Sequence, residues 1–210
     1  MIIGNGDIAK AIMNRQILIQ KIINKIDAQS YLEIGLGAGT TYKNINCKKI
    51  YGVDPCCGGW DDGQVCTAEP THKMTSDQFF KENTERFDVI FIDGLHEADT
   101  VERDINNALD CLNSGGYIVC HDMNPLSQGA QAVPRVDRGW NGDCWKAWVR
   151  IRQVNPEISM CVISADCGLG VIRKGSQELL DVNGLEIIYE NLEKNREKWL
   201  NLISVEEFII

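Results

Sequence analysis

Apolar runs that each end on polar groups recur along the chain, and stripes at helical spacing lie between them. Tyr31-Leu32-Glu33-Ile34 runs into a glycine turn, and Lys49 to Val53 ends at Asp54-Pro55. Arg86 to Ile92 ends at Asp93, and Tyr117 to Cys120 ends at His121-Asp122. The continuous apolar character of the run ending at Asp93 is what a parallel strand buried on both faces requires. Ile12, Ile19, Ile22, Ile23 and Ile26 fall on one side of a helix ending near Asp27, which therefore packs on the sheet. Asp99 to Leu112 places Val101, Ile105, Ala108, Leu109 and Leu112 on one stripe, and Asn113-Ser114-Gly115-Gly116 supplies residues that terminate a helix.

The remaining segments complete the alternation. A short helix follows the glycine turn, and a short third strand is expected near His72 to Met74. Thr75-Ser76-Asp77 carries hydroxyl and carboxylate caps for a helix through Gln78-Phe79-Phe80. Asp143 opens a helix bearing Trp145, Trp148, Val149 and Ile151. Ile158 to Ser164 and Gly168 to Arg173 alternate around a tight Ala165-Asp166-Cys167 turn, a closing antiparallel hairpin. A final amphipathic helix is expected from Leu185 to about Leu202, with a solvated charged face from Glu193 to Lys198. Strand and helix in alternation, with polar groups at the carboxyl end of each strand, predict an α/β, Rossmann-like doubly wound sheet.

At 210 residues this is one domain, with residues 1–29 as an N-terminal helical extension and 123–142 as a loop over the site. The net charge of -9, without a Lys/Arg cluster, disfavours nucleic acid as a partner. No apolar run is long enough to span a bilayer, and the N-terminus lacks the order of a signal peptide, so a cytoplasmic protein without a membrane partner is expected. The nine cysteines read as reduced thiols. Cys56-Cys57 with Cys66 lacks the C-x-x-C pairs of a zinc site.

Gly35-Leu36-Gly37-Ala38-Gly39 is the kind of turn that lets a backbone bend sharply and approach a ligand without a Cβ in the way. A dinucleotide fingerprint would carry its third small residue at position 40, where Thr40 stands. Asp54 follows Glu33 by about twenty residues, the spacing at which an acid meets ribose hydroxyls. A second turn, Gly4-Asn5-Gly6-Asp7-Ile8-Ala9, matches G-x-G-x-x-A after an apolar triplet and keeps a nicotinamide cofactor in play.

YLEIGLGAGT, YGVDP, MTSDQFF, FDVIFIDGLHEADTVERDI, LNSGGYIVCHDMNP and GDCWKAW, in that order, resemble the class I S-adenosylmethionine-dependent methyltransferases of the Methyltransferase-24 type. That group includes sugar and natural-product O-methyltransferases. The resemblance covers roughly residues 15 to 175, and the IDGLH and GGYIVCHD pair is its most specific part. It implies a seven-stranded sheet with an antiparallel C-terminal hairpin, and S-adenosyl-L-methionine as the cofactor. It places Glu33, Gly35, Gly37, Gly39, Thr40 and Asp54 against that cofactor, with Asp93 beyond them and Ser76 and Asp77 lining the adenine. Asp93, His121 and Asp122 stand where metal-dependent O-methyltransferases carry a divalent metal (Mg, Mn or similar), although an imidazole at position 121 departs from the usual acid. His96, at the mouth of the site, is the implied general base, with Asp93 beside it.

The expected reaction is O-methylation of a hydroxyl on a small-molecule or sugar acceptor. Arg135, Arg138 and Trp140 are candidates to clamp that acceptor. A NAD(P)-dependent oxidoreductase using the Gly4 to Ala9 turn, and a cofactor-binding protein without activity, are the alternatives. A homodimer is left open.

Overall fold

The structure, a computed structural model, describes residues 13–56 and 68–210. Seven strands form one sheet in the order β2-β1-β3-β4-β6-β5-β7. They are β1 (Ser30–Ile34), β2 (Lys49–Val53), β3 (Phe87–Ile92), β4 (Leu112–Cys120), β5 (Ile158–Ile163), β6 (Leu169–Lys174) and β7 (Leu202–Ile203). The first four run parallel, and β6 is antiparallel to both β4 and β5, so the second arm of the C-terminal hairpin inserts into the sheet. The helices are α1 (Arg15–Ile26), α2 (Ser76–Glu82), α3 (Ala98–Cys111), α4 (Cys144–Val154) and α5 (Tyr189–Leu200).

The two-residue period of the central strands divides the core into two layers. Tyr31, Val89, Phe91, Tyr117 and Val119 face α1, where Leu18, Ile19, Ile22 and Ile23 are buried. Leu32, Ile34, Ile90, Ile92, Ile118 and Cys120 face the opposite side, against α3, α4, α5 and Phe79 of α2. Each fully buried aliphatic side chain here contributes about 1.5–3 kcal/mol of transfer free energy. Helix α1 is punctuated at both ends: Asn14 accepts a hydrogen bond from the Ile17 N–H, and Asp27 closes the helix in the left-handed region at φ 51°.

Four local expectations are corrected. The expected third strand is a single parallel bridge between Val53 and His72, because His72 pairs with Gly52 and Asp54 and the chain then turns into α2. The segment after the glycine turn forms only a 3-10 turn, Tyr42–Asn44. Asn113 to Gly116 belongs to β4, which starts directly after α3; a register irregularity between Phe87 and Val89 absorbs the glycines, with Gly115 at φ 78°. Helix α5 starts at Tyr189 and ends at Asn201 in the left-handed region, which releases Leu202–Ile203 to pair in parallel with β5 as the seventh strand. The Gly4 to Ala9 turn, Cys57, Cys66 and the start of the Ile12 stripe lie outside the described residues.

Candidate active site

The parallel strands deliver their polar termini to one edge of the sheet. Asp93 N–H donates to the Ile34 carbonyl at 2.8 Å and His121 N–H to the Ile92 carbonyl at 3.1 Å, so each strand end is pinned beside its neighbour. Met123 and Asn124 continue past β4 and pair with the Gly168 and Cys167 carbonyls, which draws the turn of the β5–β6 hairpin to the same edge.

The glycine turn forms as expected, with Gly35, Gly37 and Gly39 at φ 82°, 49° and 72°. Gly35 is obligatory for a second reason: a Cβ there would stand 2.2 Å from the Asp93 carbonyl oxygen. Among the described residues nothing lies within 4 Å of where a Gly37 Cβ would stand. Asp54 stabilises this turn directly. Its Oδ2 accepts from the Leu36 and Gly37 N–H groups at 2.8 and 3.2 Å, and its Oδ1 from Cys56 N–H at 2.7 Å. Oδ2 thus carries two donors and Oδ1 one, so remaining acceptor capacity lies on Oδ1. Thr40 is exposed, and its carbonyl accepts from the Asn44 amide.

Glu33 lies on the α1 side of β1, only 1% exposed, and accepts the Tyr31 hydroxyl at 2.5 Å. Burial pushes its pKa up to about 8, against the lowering effect of the Tyr31 hydrogen bond. Ser76 opens α2 near Asp104, a buried acid of α3 whose pKa burial raises to about 6 against the lowering effect of Ser76. Asp77 is on the surface, paired with Arg103 at 3.2 Å. The structure thus gives Asp77 an ion-pair role in holding α2 to α3.

The centre of the site is a cluster of Asp93, His96 and Asp122, whose candidate ligand atoms all lie within 4.8 Å of one another. His96 Nε2 is 3.4 Å from Asp93 Oδ1, and Nδ1 is 3.4 Å from Asp122 Oδ2. The expected position of His96 at the mouth is corrected: it is 7% exposed and lies beneath Trp140. Asp143 explains its placement, because Asp143 N–H donates to the His96 carbonyl at 3.3 Å while Asp143 Oδ1 caps α3 through the Ala98 N–H at 2.7 Å. Gly142, at φ 64°, packs so closely that a Cβ would meet the His96 carbonyl oxygen at 1.9 Å.

Asp122 sits at φ 62°, a left-handed conformation that costs about 1–3 kcal/mol outside glycine and is retained where surrounding contacts impose it. Those contacts are visible: Asn141 Nδ2 donates to Asp122 Oδ1 at 2.7 Å, and His121 Nδ1 meets Oδ2 at 2.8 Å. His121 stays near the acids, with Nδ1 3.3 Å from Asp93, but its other nitrogen turns to the Arg15 guanidinium and Asp166. Burial disfavours the His121 imidazolium, and the charge of Asp93 with the hydrogen bonds of Asp122 and Asp166 outweighs it and raises the pKa. Asp93 is partly buried, which disfavours its charge, and His121 and His96 nevertheless hold its carboxyl well below the usual range.

Arg15, Asn141 and Asp166 are site residues that sequence reading did not single out. They come from the first turn of α1, the end of the 123–142 loop and a hairpin turn, and no local spacing signals such contacts. In that loop Arg135 is bonded to the Asp137 and Arg138 carbonyls, so it braces the loop.

The sheet order, the glycine turn and the acids at the ends of β2, β3 and β4 define a class I, Rossmann-like methyltransferase fold. Residues 32–123 match the family model described as Methyltransferase domain, of the Methyltransferase-24 type. An uncharacterized protein of Acanthamoeba polyphaga mimivirus is 27% identical over 131 residues, covering 53% of this chain and 59% of that protein. The chain thus spans somewhat over half the length of that relative. Among solved structures, the O-methyltransferase TomG of Streptomyces achromogenes, in complex with S-adenosylmethionine, shares the fold at TM-score 0.51 and 14% identity, over 76% of this chain and 78% of that one. The O-methyltransferase of Bacillus cereus, in complex with S-adenosylhomocysteine, does so at TM-score 0.51 and 14% identity, over 81% and 85%. No described helix is long and apolar enough to cross a membrane.

Proposed function

We propose that this protein transfers a methyl group from S-adenosylmethionine to a hydroxyl oxygen of a small-molecule or sugar acceptor. The observation that carries the reading is the Asp93–His96–Asp122 cluster, set one strand away from the glycine turn that Asp54 organises. The cradle fits the cofactor: no described residue crowds Gly37, and the Asp54 carboxylate stands at the end of the adjacent strand. Bound S-adenosylmethionine would supply an electrophilic methyl on a sulfonium, open to in-line attack by oxygen.

The residues would act as follows. Asp122 faces Nδ1 of His96 and favours the tautomer with its proton there, which leaves Nε2 basic. Nε2 would take the proton of the acceptor hydroxyl, and Asp93 would stabilise the resulting imidazolium. The 3.4 Å separations on both sides are long for hydrogen bonds, a spacing that catalytic pairs shorten when substrate is bound. Trp140 would form the wall that keeps water from the imidazole.

The clustering of two carboxylates and an imidazole also favours a second reading, in which Asp93, Asp122 and His96 hold a divalent cation. Such a cation would supply Lewis acidity that lowers the acceptor's pKa. His96 takes the place expected of His121 in that set, because His121 is engaged by Arg15 and Asp166.

Thermal-shift measurements with S-adenosylhomocysteine and with NAD(P) test the cofactor; stabilisation by the first and none by the second is expected. With an acceptor in hand, His96→Gln should abolish turnover while S-adenosylhomocysteine still binds. Turnover that survives exhaustive chelation supports the base reading, and turnover restored by one divalent cation supports the metal reading.

A further inference from the structure

Acids crowd the strand-end edge, and two basic side chains, His121 and Arg15, stand among them. His121 meets Asp93, Asp122 and Asp166, and Arg15 reaches the same edge through His121 and Asp166. Arg15 is the first residue of α1. Its backbone N–H donates to Asp166 Oδ2 at 2.8 Å, and its guanidinium Nη1 meets the His121 ring. The side chain is 32% exposed, and Asp166 Oδ2 lies 3.7 Å from Nη1, beyond hydrogen-bond range. Nε and Nη2 make no hydrogen bond among the described residues, so most of the guanidinium fork remains available.

We propose that Arg15 receives the carboxylate of the amino-acid half of the methyl donor. This rests on the S-adenosylmethionine reading of the site. Asp54 marks the nucleoside side, on β2, and Asp93 with His96 marks the reacting side, on β3. The amino-acid end then lies beside Asp93 on the face covered by α1, where Arg15 meets His121, whose Nδ1 is 3.3 Å from Asp93. Asp93, Asp122 and Asp166 already engage His121, so a donor carboxylate beside them needs a further cation, and the Arg15 guanidinium can pair with it bidentately. The N-terminus of the 12-residue α1 adds favourable field at the same point.

The test is binding of S-adenosylhomocysteine and of its analogue lacking the amino-acid carboxylate, by calorimetry, to the wild type, Arg15→Gln and Arg15→Lys. The wild type should prefer S-adenosylhomocysteine. Arg15→Gln should lose on the order of 10- to 100-fold in affinity for it, bind the two ligands alike, and bind the analogue as the wild type does. Arg15→Lys should fall between. Equal affinity of wild type and Arg15→Gln for S-adenosylhomocysteine would overturn the assignment alone and direct Arg15 to an acidic group on the acceptor. An equal loss for both ligands would also overturn it, by making Arg15 a structural brace. A wild type that binds neither ligand would remove the cofactor reading itself.

Discussion

The indole of Trp140 lies over the imidazole of His96, with ring centroids 5.2 Å apart and planes inclined by 22°. The contact joins the 123–142 loop to the chemistry. Trp140→Ala should expose His96 and lower kcat/KM by about 2- to 10-fold, mainly through acceptor KM, since such ring pairs are worth about 0.5–1.5 kcal/mol. Steady-state kinetics with acceptor and donor varied separately check this. A change confined to the donor's KM would place Trp140 elsewhere.

Asn141 holds one oxygen of Asp122 and leaves the other toward the imidazoles. Asn141→Ala leaves a buried carboxylate oxygen without its donor, a loss of about 1–3 kcal/mol. Turnover should drop with little change in donor affinity. Asn141→Asp sets two carboxylates together and should cost more. Equal kinetics for the two variants would refute the hydrogen-bond role.

Gly35→Ala forces a Cβ against the backbone of Asp93 at a φ that L residues rarely adopt. It should lower stability by more than about 1 kcal/mol, several degrees in Tm, and abolish donor binding. Denaturation and calorimetry report the two effects. An unchanged Tm would show that β1 and β3 can part at this point.

Glu33 should make the fold lose stability as pH rises. Its pKa goes from 4.5 to about 8 on folding, so in that window the native state keeps a proton the unfolded chain has lost. Stability then falls by on the order of 1.4 kcal/mol per pH unit between those limits and levels off above them. Asp104, raised to about 6 by burial, adds to the slope below that pH. Glu33→Gln keeps an acceptor for the Tyr31 hydroxyl and should flatten the profile up to pH 8. Urea denaturation at several pH values decides it, and parallel profiles would show that Glu33 is ionised in the native state.

The four strand ends were readable because each parallel strand is a short apolar run whose polar terminus stands out. Gly35 to Gly39, Asp54, Asp93 and Asp122 follow from that pattern together with the family resemblance. Local propensity misplaced smaller elements: His72 gains one bridge, and Leu202–Ile203 becomes a strand only because β5 offers it an open edge. Asp77 illustrates a different limit, since no spacing in the sequence signals its pairing with Arg103.

By itself, then, the amino-acid order determined the alternation of elements, the glycine cradle and the set of acids delivered to one sheet edge, because burial period and turn chemistry are local. Tertiary structure alone decided how those groups face one another. It put His96 under Trp140, brought Asn141 to Asp122, and set Arg15 and Asp166 on His121 across 106 and 45 residues of chain. Contacts between residues so distant depend on where the sheet order places each strand end, and no spacing in the sequence encodes that directly.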